Sequence, residues 1–167
     1  MTPTAMSARY GHSLAIGSEG KLCAWGDNAT GQLGDGGTTS DHSPEVMTLA
    51  AGVTPTAIAG GYEDTLAIGS DGHLYAWENN ANGELGDCTS TQHNRPEVIS
   101  VDTGVTPTAI AAGNYHSLAI GSFMPPSVLP ESPVVLALPA AATVIFGAAA
   151  WKAARLRNRD RTPQPTP

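Results

Sequence analysis

Basic side chains are nearly absent from the first 122 residues. Arg9, Lys21 and Arg95 stand there against thirteen acidic groups, a net charge of −10 for that region. Nucleic-acid affinity comes largely from Lys and Arg neutralising phosphates, so this acidic region argues against DNA or RNA as a partner. Cysteine is scarce as well. Cys23 and Cys88 are the only two, neither sits in a C-x-x-C pair, and the zinc signature is therefore missing. There is no Gly-rich phosphate loop with its Lys. The esterase elbow Gly-x-Ser-x-Gly is absent too: "GSEG" and "GSDG" resemble it only superficially and read as turns. The opening "MTPTAMSARYGHS" has no apolar core and so no secretory signal.

What is present is a repeat. "LAIGSEGKLCAWGDNATGQLGD" begins at Leu14, "LAIGSDGHLYAWENNANGELGD" at Leu66, and "LAIGS" again at Leu118 before breaking into "FMPPSVLPESP". The register is 52 residues without a gap: "VTPTAI" at Val53 recurs at Val105, and Trp25 matches Trp77. In "TLAIGSDGHLYAW" two short β-favouring runs flank a turn, where Asp-Gly supplies the positive φ of a tight hairpin. "TAIAAG" before the hairpin, and "PEVMTL" from Pro44 and "PEVISV" from Pro96 after the loop, add a strand on each side. The spacing predicts about four short antiparallel strands per repeat, the size of a propeller blade. The fold class is thus all-β, a partial β-propeller of about two and a third blades: 1–52, 53–104 and the partial 105–122.

The combination in "HSLAIGSEGKLCAWGDNATGQLGDG" resembles the repeat of the regulator-of-chromosome-condensation family, whose members form β-propellers, often seven-bladed. The resemblance runs from Met1 to Ser122. Its repeat-defining residues here are His12, Leu14, Trp25, Gly31, Leu33 and Gly34, then Leu66, Trp77, Gly83, Leu85 and Gly86, then Leu118. The second repeat drifts, with Asp64 where His12 and His116 stand and Glu78 in place of Gly26. In the same register Cys23 matches Tyr75 and Cys88 matches Gly36, which reads as a small strand residue and a loop substitution, with a disulfide as the alternative. A blade buries its faces only against neighbours, and two and a third blades cannot close a ring. "MTPTA" aligns with the middle of a repeat. The chain therefore reads as the C-terminal end of a longer propeller, a truncated gene product. Its partners would include the missing upstream blades or, failing them, a second copy through self-association across the unpaired edge left at Thr108–Ile120.

The tail has a different chemistry. Residues 123–133 are a Pro/Ser-rich linker. Val134–Trp151, "VVLALPAAATVIFGAAAW", carries no charge over 18 residues, about 27 Å as a helix and close to the thickness of a bilayer core. A soluble helix would show a polar face, and this run has only Thr143. Trp151 and the basic residues Lys152, Arg155, Arg157, Arg159 and Arg161 follow, features of a membrane boundary. The run is expected to be a single-pass C-terminal transmembrane helix, with 152–167 as a basic cytoplasmic tail and the repeats extracellular. The layout resembles Gram-positive surface proteins. "LPESP" at Leu129–Pro133 lacks the Thr and Gly of a sortase signal, so a retained anchor is expected rather than transfer to the wall.

No catalytic, cofactor or metal set emerges. His12–Ser13 and His116–Ser117 recur in register, as a repeat-wide hydrogen bond would, and Asp27, Asn28 and Asp35 lack the alternating spacing of a calcium loop. The expectation is a non-enzymatic, membrane-anchored surface scaffold that binds a protein or glycan through its loops. The family resemblance implies two alternatives: a nucleotide-exchange regulator of a small GTPase, or an inhibitor of an extracellular enzyme.

Overall fold

The computed structural model describes residues 2–62 and 64–123 together with the backbone of 143–147. Strands β1 (Pro3–Arg9), β2 (His12–Gly17), β3 (Leu22–Gly26) and β4 (Asp41–Met47) form one antiparallel sheet in sequence order. Strands β5 (Pro55–Gly60), β6 (Asp64–Gly69), β7 (Leu74–Glu78) and β8 (His93–Ile99) repeat it. In the third sheet β9 (Val105–Ala112) pairs with β10 (Ser117–Phe123), and β10 with β11 (Thr143–Gly147). Among the described residues there is no helix.

The central hairpins form as the sequence predicts. Leu14–Ile16 pairs with Leu22–Ala24, and Leu66–Ile68 with Leu74–Ala76. The turn is of a different kind, however. Gly17 N–H donates to the Lys21 carbonyl and Gly69 N–H to that of His73, both at 2.9 Å, so three residues form each loop. Only its last residue, Gly20 or Gly72, has positive φ. Asp71 stays right-handed and works through its carboxylate, accepting from His73 N–H at 3.1 Å and Tyr75 O–H at 2.7 Å. The outer strands start earlier than Pro44 and Pro96, at Asp41 and His93. Both prolines lie on edge strands, where a missing N–H leaves no ladder bond unmade.

Alternation along each strand divides the side chains between two neighbours. Leu14, Leu22, Ala24 and Met47 pack with Ala67, Tyr75 and Trp77 of the second sheet. Leu66, Leu74, Ala76 and Ile99 then pack with Ile110, Ala112 and Ala119 of the third. The even positions of β2 and β6 thus face the following sheet, and the odd positions of β6 face the preceding one.

Two expectations about the tail are corrected here. Thr143–Gly147 lies inside the run expected to be helical, and it is a strand; the rest of 134–151 lies outside the described residues. Nor is β10 left without a partner on its C-terminal side. β11 pairs with it so that Ile145 faces Ile120, the register position of Leu22 opposite Ile16 and of Leu74 opposite Ile68. Thr143, Val144, Ile145 and Phe146 are β-branched or aromatic, which favours a strand locally. The third sheet thereby gains the third strand of the pattern.

Candidate binding surface

Antiparallel pairing collects two kinds of connection at one end of the sheets. The short β1–β2 turn at Tyr10–Gly11 and its successors lie there, together with the long loops 27–40 and 79–92. The loops are locked by one buried asparagine each. Asn28 Nδ2 donates to Asp35 Oδ1 at 3.2 Å and the Thr39 carbonyl at 3.0 Å, while its Oδ1 accepts from Leu33 N–H at 2.9 Å. Asn80 makes the equivalent bonds to Asp87 and Thr89 and accepts from Leu85 N–H at 3.1 Å. Leu33 and Leu85 are thereby driven into the core. Gly31, Gly34, Gly83 and Gly86 all have positive φ. At Gly34 a Cβ would also meet the Trp77 indole nitrogen at 2.9 Å, so glycine is needed there twice over.

The oxygen atoms that could suggest a cation loop are occupied by these turns. Asp27 accepts from Ala29 N–H and Ser40 O–H, and Asp35 from Gly37 N–H at 2.7 Å. At Asp87, burial pushes the carboxyl pKa up, but hydrogen bonds from Thr89, Asn80 and His93 outweigh it and hold the group below the usual range. Among the described residues no His, Cys, Asp and Glu cluster fits a metal. Cys23 is buried, Cys88 is exposed, and the two are not joined in a disulfide. Cys88 keeps the left-handed backbone of its counterpart, with φ 66° against 89° at Gly36.

Between sheets the position of His12 meets the hydroxyl that follows it in the next repeat. His12 Nε2 is 3.1 Å from Thr65 Oγ1, and Thr65 O–H donates to Glu78 Oε2 at 2.9 Å. The single hydroxyl proton is committed to the carboxylate, so Nε2 carries the hydrogen and donates. Burial, opposed by the nearby Asp27, lowers the His12 pKa to about 4 and keeps the ring neutral at pH 7. One sheet on, Ser117 O–H donates to Asp64 Oδ2 at 2.6 Å. Burial raises Asp64 to about 6, with Ser117 pulling down, Glu84 adding to the rise, and His116 and Arg9 pulling down.

Outside this relay the same end presents aromatic rings. Tyr10 and Tyr62 have centroids 4.2 Å apart, and Tyr62 and Tyr115 are 6.2 Å apart. Tyr10 is 74% and Tyr115 62% exposed, so the row crosses all three sheets at the surface. Arg9 ties its ends by donating to Asn114 Oδ1 at 2.6 Å.

The structure thus separates the repeat-defining residues by role. Leu14 and Leu66 are core, Trp77 is fully buried and donates from Nε1 to the Gln32 carbonyl at 3.0 Å, and Trp25 and Leu118 are only partly covered. Trp151, Lys152, Arg155, Arg157 and Arg159 lie outside the described residues. Sequence reasoning missed the tyrosine row. Tyr10 and Tyr62 are in register, but Tyr115 is displaced by one position, which hid the third member.

Four-stranded antiparallel sheets stacked face to face, with the long loops 27–40 and 79–92 at one end, are the blades of a β-propeller. The Regulator of chromosome condensation (RCC1) repeat matches residues 19–68 and 71–120, and the chain belongs to that family. The chain is 33% identical over 109 residues to the ultraviolet-B receptor UVR8 of Arabidopsis thaliana, covering 65% of this chain and 25% of that protein. It is 33% identical over 117 residues to the RCC2 homolog of Danio rerio, covering 64% and 24%. A 34% identical match to human E3 ubiquitin-protein ligase HERC2 covers 64% of this chain and 2% of that one. The chain therefore spans a quarter or less of these relatives. Among solved structures, human WBSCR16 superposes with a TM-score of 0.66 over 85% of this chain and 37% of its own, at 21% identity. Yeast RCC1 (Prp20), from its complex with Kap60, gives 0.59 over 72% and 31%, at 23% identity. At those identities the likeness is one of fold.

Proposed function

We propose that this chain is a non-enzymatic binding scaffold, held at a membrane surface by the run Val134–Trp151, that engages a protein or glycan through the loop end of its blades. The observation that carries the binding role is the exposed row Tyr10–Tyr62–Tyr115. Tyrosine offers a large amphipathic contact area with few rotamers to lose, and here the three rings sit on the short turns between paired strands. Sugar faces and extended peptides both suit such a row, and the adjoining Arg9 and Asn114 add polar contacts. The polar groups of the long loops are committed to holding those loops in shape, which supports a scaffold rather than a reaction centre.

The double substitution Tyr10→Ser and Tyr115→Ser in the full chain tests this on a glycan array and against immobilised cell-surface protein. Loss of a wild-type signal with an unchanged melting temperature is the expected result. Wild-type binding by the variant would sink the reading.

The anchoring rests on the uncharged run and the basic residues behind it. A segment paired with β10 cannot at the same time cross a bilayer, so anchoring requires Thr143–Gly147 to leave the third sheet. Family membership favours a second reading, a cytoplasmic exchange factor for a small GTPase; inhibition of an extracellular enzyme is a third. Labelling Ser70→Cys on intact cells with an impermeant maleimide separates them. Ser70 lies in the exposed β6–β7 turn, at the opposite end of the blade from the proposed ligand row. Labelling before lysis supports the surface scaffold, and labelling only after lysis supports the exchange factor.

A further inference from the structure

Asn82 is the only asparagine in the chain that is followed by glycine. The side-chain amide of such a residue can be attacked by the next backbone nitrogen, and glycine, having no Cβ, hinders that approach least. The fold leaves the site open as well. Asn82 is exposed on the loop 79–92, and a Cβ built on Gly83 would meet nothing nearer than the Thr89 carbonyl oxygen at 3.9 Å. The same place in the first loop is closed. Thr30 stands there instead, its carbonyl accepts from Gln92 Nε2 at 2.8 Å, and a Cβ on Gly31 would run into the Asn94 side chain. Asn28 and Asn80 are fully buried, with their amides committed to the loop locks.

What restrains Asn82 is Glu84. One oxygen of this buried carboxylate accepts from Asn82 N–H at 2.9 Å and the other from Asn82 Nδ2 at 2.7 Å. Gly83 N–H in turn donates to the Asn80 carbonyl at 3.0 Å, closing a turn in which neither Ala81 nor Asn82 has positive φ. In a turn of that kind ψ of the third residue is about 0°, which points the Gly83 nitrogen away from the Asn82 side chain. Ring closure between the two therefore waits for the turn to open.

We propose that Asn82 is a site of spontaneous deamidation whose rate is set by Glu84, and that the reaction is a one-way release of the second loop. The Gly83 nitrogen loses its proton and bonds to Asn82 Cγ, the Cγ–Nδ2 bond breaks, and ammonia leaves. Solvent water then opens the resulting succinimide at either carbonyl, giving aspartate or isoaspartate, so the net exchange is water for ammonia. Either product removes the Nδ2 donor and sets a second carboxylate against Glu84, where each opposes ionisation of the other. Isoaspartate also lengthens the backbone by one carbon, which draws Gly83 off the Asn80 carbonyl. The Asn80 lock and the buried Leu85 depend on this same loop. The reaction needs no ligand on the tyrosine row.

The full chain, aged at neutral pH in a mild non-ionic detergent, is mapped by peptide mass spectrometry, with isoaspartyl methyltransferase labelling to mark the isoaspartate. Modification is expected at Asn82 before any other asparagine, and faster in urea than in native buffer. Glu84→Ala, which loses both restraints, should deamidate about tenfold faster than wild type in native buffer. Glu84→Gln copies the first loop, where Gln32 Oε1 accepts from Thr30 N–H at 2.9 Å. It keeps that backbone bond and should fall between the other two. In urea the three rates should converge. Asn82→Asp reads the consequence: it should melt below wild type, and the loss should shrink in a Glu84→Gln background, where the opposing charge is gone. Modification that starts at another asparagine, or a wild type no faster in urea, overturns the proposal. So does a Glu84→Ala chain that deamidates no faster than wild type, or one whose advantage persists in urea, which would make the effect one of local sequence. An Asn82→Asp chain as stable as wild type overturns the release of the loop.

Discussion

The first and second blades have the same four strands and the same asparagine-locked loop, yet Trp77 is completely buried and Trp25 only partly. The loop that covers Trp77 belongs to the first blade, through the Gln32 carbonyl and Gly34. Trp25 has no preceding loop among the described residues. Burial in this architecture is therefore a property of the joint and not of the repeat. The polar positions differ in the same way. His12, Ser13, Gly26 and Gln32 in one blade become Asp64, Thr65, Glu78 and Glu84 in the next, and the substitutions meet in space, where Thr65 bridges His12 and Glu78. Drift in one repeat is absorbed by its contact partners.

The largest expected consequence concerns the tryptophans. Trp77→Ala should cost about 3–5 kcal/mol, the range for deleting a fully buried aromatic, and Trp25→Ala less than half as much. Urea unfolding of the two variants measures both, and equal losses would break the comparison between the blades. Next come the loop locks. Asn28→Ala leaves the buried Leu33 N–H without its acceptor and should cost about 2 kcal/mol. Asn80→Ala should cost less, because the loop it holds does not cover a tryptophan. The emission maximum of Trp77 should shift to the red in Asn28→Ala alone.

A smaller effect is expected at Glu78, which has φ 94° where the first blade uses Gly26 at 111°. Glu78→Ala and Glu78→Gly both lose the bond to Thr65, but only glycine relieves the left-handed backbone. The glycine variant should be the more stable of the two by about 1 kcal/mol. An alanine variant as stable as the glycine one would show that the backbone there is relaxed.

The smallest effect is a cancellation. His12 is lowered to about 4, so its contribution to stability grows as pH rises from about 4 to 6.5. Asp64 is raised to about 6, so its contribution declines as pH rises between 3.8 and about 6. The two slopes oppose each other in nearly the same window. His12→Gln should therefore show stability falling with pH there, and Asp64→Asn should show it rising. Melting temperatures taken from pH 4 to 6.5 read out both signs directly.

The strands and their order were legible because the 52-residue register and the alternation in "LAIGS" report directly on local structure. The loop locks were half legible: Asn28 and Asp35 stood out as polar residues in register, but a hydrogen-bonded turn and a ligand loop share that composition. Tyr115 was hidden by its shift of one place. The fate of 143–147 was not legible, because the same uncharged residues satisfy a bilayer or a sheet edge, and only the pairing partner distinguishes them. Ile145 opposite Ile120 is a long-range fact that no local window contains.

That third strand also sets an order of events in time. β2 reaches β3, and β6 reaches β7, across three-residue turns, whereas β10 reaches β11 only across residues 124–142. Closing the longer connection carries an extra entropic barrier of roughly 1–2 kcal/mol, and non-local pairings form late for that reason. A chain emerging from the ribosome therefore completes its first two blades while the third is still a two-stranded ribbon. During that interval Thr143–Gly147 has not yet joined the sheet, and the C-terminal edge of β10 is open. Lengthening the connection between β10 and β11 would prolong that interval.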